Sequence, residues 1–240
     1  MNYWARWKRF NCFPACMCAN IDVTEKSADQ VETSIIKATE SLRISPRFTV
    51  RNWLDLNLDP DDPSEVDWNT AVEIVKDRIE GRFLRPAQAL IEAEKNQSSA
   101  TFGFAILALD FLVIETIEGF RQGCINHDRR SHGLFRDFLM QWAEFCSSVP
   151  GYDDQEKRAS ELYSQGRCAL HHSGTTDRLR VGRRGRMLVY HEDGRIDINR
   201  TEFHGQLTAE FDRYLNALKN PLSKQLRANV KIMMDAICQK

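Results

Sequence analysis

What the chain lacks narrows it first. No apolar run approaches the roughly 20 residues that a membrane-spanning helix needs; the strongest, Phe102 to Ile114, is interrupted by Asp110. Neither charge is in excess, since 33 basic residues face 34 acidic ones and the formal net charge is -1. Bulk attraction to nucleic acid is therefore absent, and any binding of RNA or DNA needs a local basic patch. No disulfide framework is visible. The seven cysteines, at positions 12, 16, 18, 124, 146, 168 and 238, are odd in number and share no repeated spacing, which points to free thiols in a reducing cytoplasm. Cys12, Cys16 and Cys18 have no matching second half to complete a tetrahedral zinc site, so neither a metal nor another cofactor is expected. The N-terminal run is basic and then weakly apolar, but Asn11 and Pro14 break it too early for an export signal. Internal repeats and low-complexity tracts are missing as well.

What is present is the material of a helical globule. With 240 residues, 42% of them hydrophobic and 28% charged, the chain can bury a sizeable core. Residues 1 to about 50 read as an extension, with Trp4, Trp7 and Phe10 at helical spacing beside Arg6, Lys8 and Arg9. That pattern suits a short amphipathic helix docked on the body, or one that meets a partner or a membrane surface. Residues 51–240 read as one all-α domain, a helical bundle with a small inserted β-hairpin.

The elements follow from period and punctuation. Ser64, with Asp67 three residues on, predicts a helix start, and the apolar spacing continues through Ile79 and Phe83 to Pro86, where the helix must kink or restart. Thr101 to Gln122 is apolar almost all round, the mark of a helix at the centre of a bundle. Its acids, Asp110, Glu115 and Glu118, are expected to pair with arginines or to reach the surface. A further amphipathic helix is expected from Leu134 to Cys146 and another from about Asp154 to His172, closed by Gly174 as a left-handed cap. The period then changes to two: Met187–Tyr190 and Arg195–Ile198 flank Glu192-Asp193-Gly194, which predicts a hairpin near 186–199. Helices return from Thr201 to about Lys219 and from about Pro221 to Cys238.

The chemistry lies at the end of the helix before the hairpin, in SELYSQGRCALHHSG, residues 160–174. RNA carries its own nucleophile, the 2′-hydroxyl. Cleaving it needs a base for that proton and a cation for the charge that builds on the phosphate. Arg167 and His172 are such a pair, with His171 as an alternate imidazole. The spacing alone is weak, because this composition yields about 0.6 Arg-x4-His pairs by chance. A second match, Arg186 with His191, falls in the hairpin, where five-residue spacing puts the two on opposite faces. Arg121 and His127 straddle a loop. In a regular helix Arg167 and His172 would stand about 140° apart, so the pair closes best at a frayed helix end or across a two-fold axis between two copies. The rival account is structural: an arginine in an ion pair and a histidine favoured near a helix C-terminus. A cysteine-based site using Cys168 is a remote third. After the motif, Arg178, Arg180, Arg183, Arg184 and Arg186 crowd a glycine-containing stretch expected to be a loop that holds RNA phosphates.

A helical domain whose core helix is followed by a helix ending in Arg-x4-His resembles the HEPN superfamily, the higher eukaryote and prokaryote nucleotide-binding domain, and the downstream hairpin is similar to that of a bacterial, plasmid-borne branch. The resemblance spans roughly residues 52–238. It implies a metal-independent endoribonuclease acting as a homodimer on RNA, in toxin–antitoxin or antiphage defence, with an antitoxin or nucleotidyltransferase as a further partner. It also implies that Arg167 and His172 are catalytic. Some members of the superfamily are non-catalytic modules that bind nucleotides or proteins. One departure stands out: the family usually follows the arginine with Asn, Asp or His, where this chain has Cys168.

Overall fold

The computed structural model describes residues 39–239 except 60–63, 100, 150, 175 and 177. The expected amphipathic helix of Trp4, Trp7 and Phe10 and the cysteines at 12, 16 and 18 lie outside the described residues. Those described are mostly helical, with one small sheet, and no helix among them is long and apolar enough to cross a membrane.

The body begins before residue 50. Ile44, Val50 and Trp53 are buried in the main core, and the Trp53 indole donates to Asp235 Oδ1 at 2.8 Å. Helix α1 (Val50–Leu54) leads to α2 (Glu65–Ile79), where Ser64 accepts from the Asp67 N–H as the sequence predicts. The interruption expected at Pro86 takes the form of a wide π-helical turn, Glu80–Leu84, which runs into α3 (Arg85–Ala93) without ending the helix. A wide turn is one of the few ways a helix can absorb the proline ring and its missing donor.

Helix α4 (Gly103–Gln122) is the central element. It packs against α3, α5 (Ser131–Gln141), α9 (Arg200–Lys219) and α10 (Lys224–Cys238). Phe111 at its midpoint meets Phe135 and Phe203 edge to face, at 5.5 and 5.8 Å between centroids. Each such pair adds about 0.5–1.5 kcal/mol beyond its burial.

The single helix expected from Leu134 to Cys146 is two. The backbone turns extended at Trp142 (φ -84°, ψ 109°) between α5 and α6 (Ala143–Ser148). The break places the indole, fully buried, edge to face with Phe138 and Phe203, and core packing outweighs helical continuity there.

The segment that carries the Arg-x4-His motif is α7 (Tyr152–Leu162), a second π-helical turn (Tyr163–Cys168) and α8 (Ala169–Ser173), closed by Gly174 at φ 64°. The hairpin forms between β2 (Leu188–Tyr190) and β3 (Ile196–Asn199), with Leu188 opposite Ile198 and Gly194 at φ 81° in the turn. A third strand, β1 (Leu179–Gly182), pairs parallel to the other edge of β3, giving the order β1-β3-β2. The arginine stretch expected as one loop is thus half strand. Leu179 is buried with Ile196 and Ile198, and four residues were too few for the alternation to be read.

Candidate functional site

Arg167 reaches back across the body to the core helix. Its Nε and Nη2 both meet the carboxylate of Glu115 on α4, the second at 3.1 Å, and its guanidinium lies 5.6 Å from the Tyr163 ring centre. The Arg167 side chain keeps 18% exposure, against 4% for Glu115. Burial opposes the arginine's charge, but the hydrogen bonds and charge of Glu115 outweigh it and hold the guanidinium firmly protonated. A guanidinium has five N–H donors. The two-pronged contact occupies one edge and leaves Nη1 outside the Glu115 bond.

The local backbone makes this approach possible. Gly166, one residue earlier in the π turn, is buried against Phe111: a β-carbon there would stand 3.0 Å from the ring edge. Glycine lets the motif segment close on α4 and brings Arg167 within reach of Glu115. A π turn spaces side chains more widely than an α turn, and such turns recur at functional sites.

Both histidines are exposed. His171 Nδ1 lies 2.9 Å from the Arg167 carbonyl. A carbonyl only accepts, so Nδ1 carries the hydrogen and Nε2 of the neutral ring is left as a base. His172 follows at the last turn. Tyr163 borders the arginine, and His132 borders Tyr163. Burial and a hydrogen bond with Cys168 push the Tyr163 phenol above its ordinary value, and His132 sits edge to face on the Tyr163 ring at 4.9 Å, with Nε2 at 3.3 Å from Ser160 Oγ. Cys168 is accordingly a neighbour of Tyr163 beside the arginine. Nothing in the sequence marked His132, which reaches the motif through the packing of α5 on α7 and the π turn.

The five other arginines do not form one patch. Arg178 is exposed and lines a cavity of about 210 Å³ with Ser164, Gln165 and Ala169 of the motif segment. Arg180 is exposed on β1. Arg183 donates to the carbonyls of Glu94, Gln97 and Ser98, at 2.9, 3.0 and 3.3 Å, and so caps the end of α3. Arg184 lines a cavity between α3 and α9, and Arg186 lines another beside α6 and β2. Arg178 is thus brought to the π turn and α8 of the motif segment, and Arg186 to α7, where it lines a cavity with Asp154 and Arg158.

The alternative Arg-His pairs are occupied elsewhere. Arg121 bonds Glu118 and Glu210, and His191 Nε2 lies 2.8 Å from Asp197 Oδ2. The acids of the core helix are all paired: Glu115 with Arg167, Glu118 with Arg121, and Asp110 with the buried His204, Nδ1 to Oδ1 at 2.8 Å. Burial raises the Asp110 carboxyl above its ordinary value, and His204 opposes that rise. Among the described residues no group of three or more His, Cys, Asp or Glu is disposed to hold a metal ion.

Fold and site together define a mostly helical protein with a small mixed sheet, whose motif arginine is anchored to its core helix. No family profile, curated protein or solved structure matches the chain.

Proposed function

We propose that the chain is a metal-independent endoribonuclease of HEPN type, working on RNA as a homodimer, with Arg167 and His172 as the catalytic pair. The observation that carries this reading is the guanidinium of Arg167, fixed along one edge by Glu115, in a segment whose last turn carries two exposed imidazoles. An arginine oriented in advance loses little side-chain entropy when its free edge meets a phosphate. In the reaction His172 takes the proton of the 2′-hydroxyl, whose oxygen attacks the adjacent phosphorus. The bond to the 5′-oxygen breaks, that oxygen takes a proton from water, and the product end is a 2′,3′-cyclic phosphate. Arg167 offsets the charge on the non-bridging oxygens. His171, with Nε2 free, is the alternate base, and Arg178 is the arginine best disposed to hold a neighbouring phosphate.

A second reading is supported by the same ion pair: Glu115 already neutralises Arg167, as befits a non-catalytic module that binds a partner or a nucleotide. Incubating purified protein with single-stranded RNA in EDTA separates the two. Cleavage that disappears in Arg167→Ala and His172→Ala, both still folded, supports the nuclease. Intact RNA with a stable dimer supports the module.

A further inference from the structure

The cavity that Arg184 lines, between the end of α3 and the start of α9, has a volume of about 670 Å³. That lies within the range of small-molecule sites, about 300–1,000 Å³. Its lining includes Lys95, Arg183, Arg184 and Arg200 against one carboxylate, Glu92. Arg183 is committed to three backbone carbonyls, and Lys95 lies 3.5 Å from Glu92. Arg184 is exposed.

Arg200 is the unusual member. Its side chain is 1% exposed, and Nη2 bonds the fully buried Glu94 carboxylate. Glu94 in turn accepts from the Thr101 N–H and hydroxyl and from the Phe102 N–H, so its second oxygen is saturated. Arg200 Nε and Nη1 have no hydrogen-bond partner at all. Orphaned donors on a buried charged group are costly, about 1–3 kcal/mol or more, and are rare in folded proteins. Arg200 is also the first residue of α9, a helix of 20 residues whose positive end favours an anion.

We propose that this cavity binds a phosphate-bearing small molecule of nucleotide size, with Arg200 and Arg184 on the phosphate and Lys95 at the rim. Guanidinium forks match phosphate oxygens, and the cavity is larger than a bare oxyanion needs. The site is separate from Arg167. Gly103 packs on Arg200, a β-carbon there standing 3.5 Å from its Cδ, whereas Arg167 is held by Glu115, about 18 Å further along α4 and about 120° around it. The inference therefore does not rest on the nuclease reading.

Titration calorimetry with pyrophosphate and with ATP, at fixed ionic strength, tests it. Both are expected to bind the full chain. ATP tighter than pyrophosphate places the nucleoside in the cavity, and equal affinity assigns the site to the phosphates alone. The double variant Lys95→Ala with Arg184→Ala, two exposed positions whose loss spares the core, should bind at least tenfold more weakly. Lys157→Ala, an exposed lysine on α7, should bind as the wild type does. Absence of heat with both ligands, or undiminished binding by the double variant, overturns the proposal. RNA cleavage in EDTA is read separately and can fail while ATP still binds.

Discussion

Glu115 and Arg167 stand 52 residues apart in the chain and meet as a two-pronged ion pair between the core helix and the π turn. Removing one partner of such a pair leaves the other charge stranded. Glu115→Leu should cost about 1–3 kcal/mol, toward the lower end because Arg167 retains some solvent. The double variant Glu115→Leu with Arg167→Leu should cost less than the two single changes summed. Urea denaturation of the four proteins measures the coupling. Glu115→Gln, which keeps the shape but not the charge, should also slow RNA cleavage more than it lowers stability.

Gly166→Ala presses a methyl group onto Phe111, whose ring is held by Phe135 and Phe203 and cannot retreat. A loss of about 1–3 kcal/mol is expected, or a fall in Tm of about 2–4 °C per kcal/mol for a body of this size. A thermal melt checks it. Gly166 thus has a packing role, as the residue that lets the π turn close on Phe111 of α4.

Arg183→Ala should lower Tm, because three carbonyls at the end of α3 lose their donor, at about 1–2 kcal/mol. Arg180→Ala, on the exposed face of β1, should leave Tm unchanged. Melting the two side by side separates the arginine that holds the fold from one that faces solvent.

The pH dependence is set in part by Asp77. Burial alone would raise its carboxyl, but hydrogen bonds from Ser45 Oγ, the Arg47 N–H and the Arg47 side chain, with the Arg47 charge, outweigh it and hold the group below its ordinary value. A depressed folded value means that the stabilisation is complete above the unfolded value, near pH 4, and is lost as pH falls through the folded one. Melts from pH 7 to pH 3 should therefore show Asp77→Asn less stable than wild type at pH 7, with the gap narrowing below about pH 4.

Much of the fold was legible because its signals are local. The Ser64 cap, the all-round apolar core helix, the glycine closing the motif helix and the hairpin turn each rest on a few neighbouring residues. What escaped depends on partners distant in sequence. The break at Trp142 answers to Phe203 on another helix, β1 is too short to show its alternation, and Arg183 finds its carbonyls 85 to 89 residues upstream. The candidate site follows the same division. Arg167, His171 and His172 are legible as a motif, whereas Glu115 was expected only to pair with some arginine or to reach the surface, and His132 carried no signal.

If the site closes across a two-fold axis, with arginine from one copy and histidine from the other, two inactive proteins should complement each other. Mixed dimers of Arg167→Ala and His172→Ala contain one intact site and should regain up to half the activity per dimer. Co-expression with two affinity tags isolates them. A pair that works within one chain leaves the mixed dimers dead.

The most direct measurement is the fate of single-stranded RNA incubated with purified protein in EDTA, the product ends being read for a 2′,3′-cyclic phosphate. Wild type should cleave and leave that end group, and folded Arg167→Ala or His172→Ala should leave the RNA intact. RNA left intact by the wild type, or cut equally well by the Arg167→Ala protein, would contradict the nuclease reading.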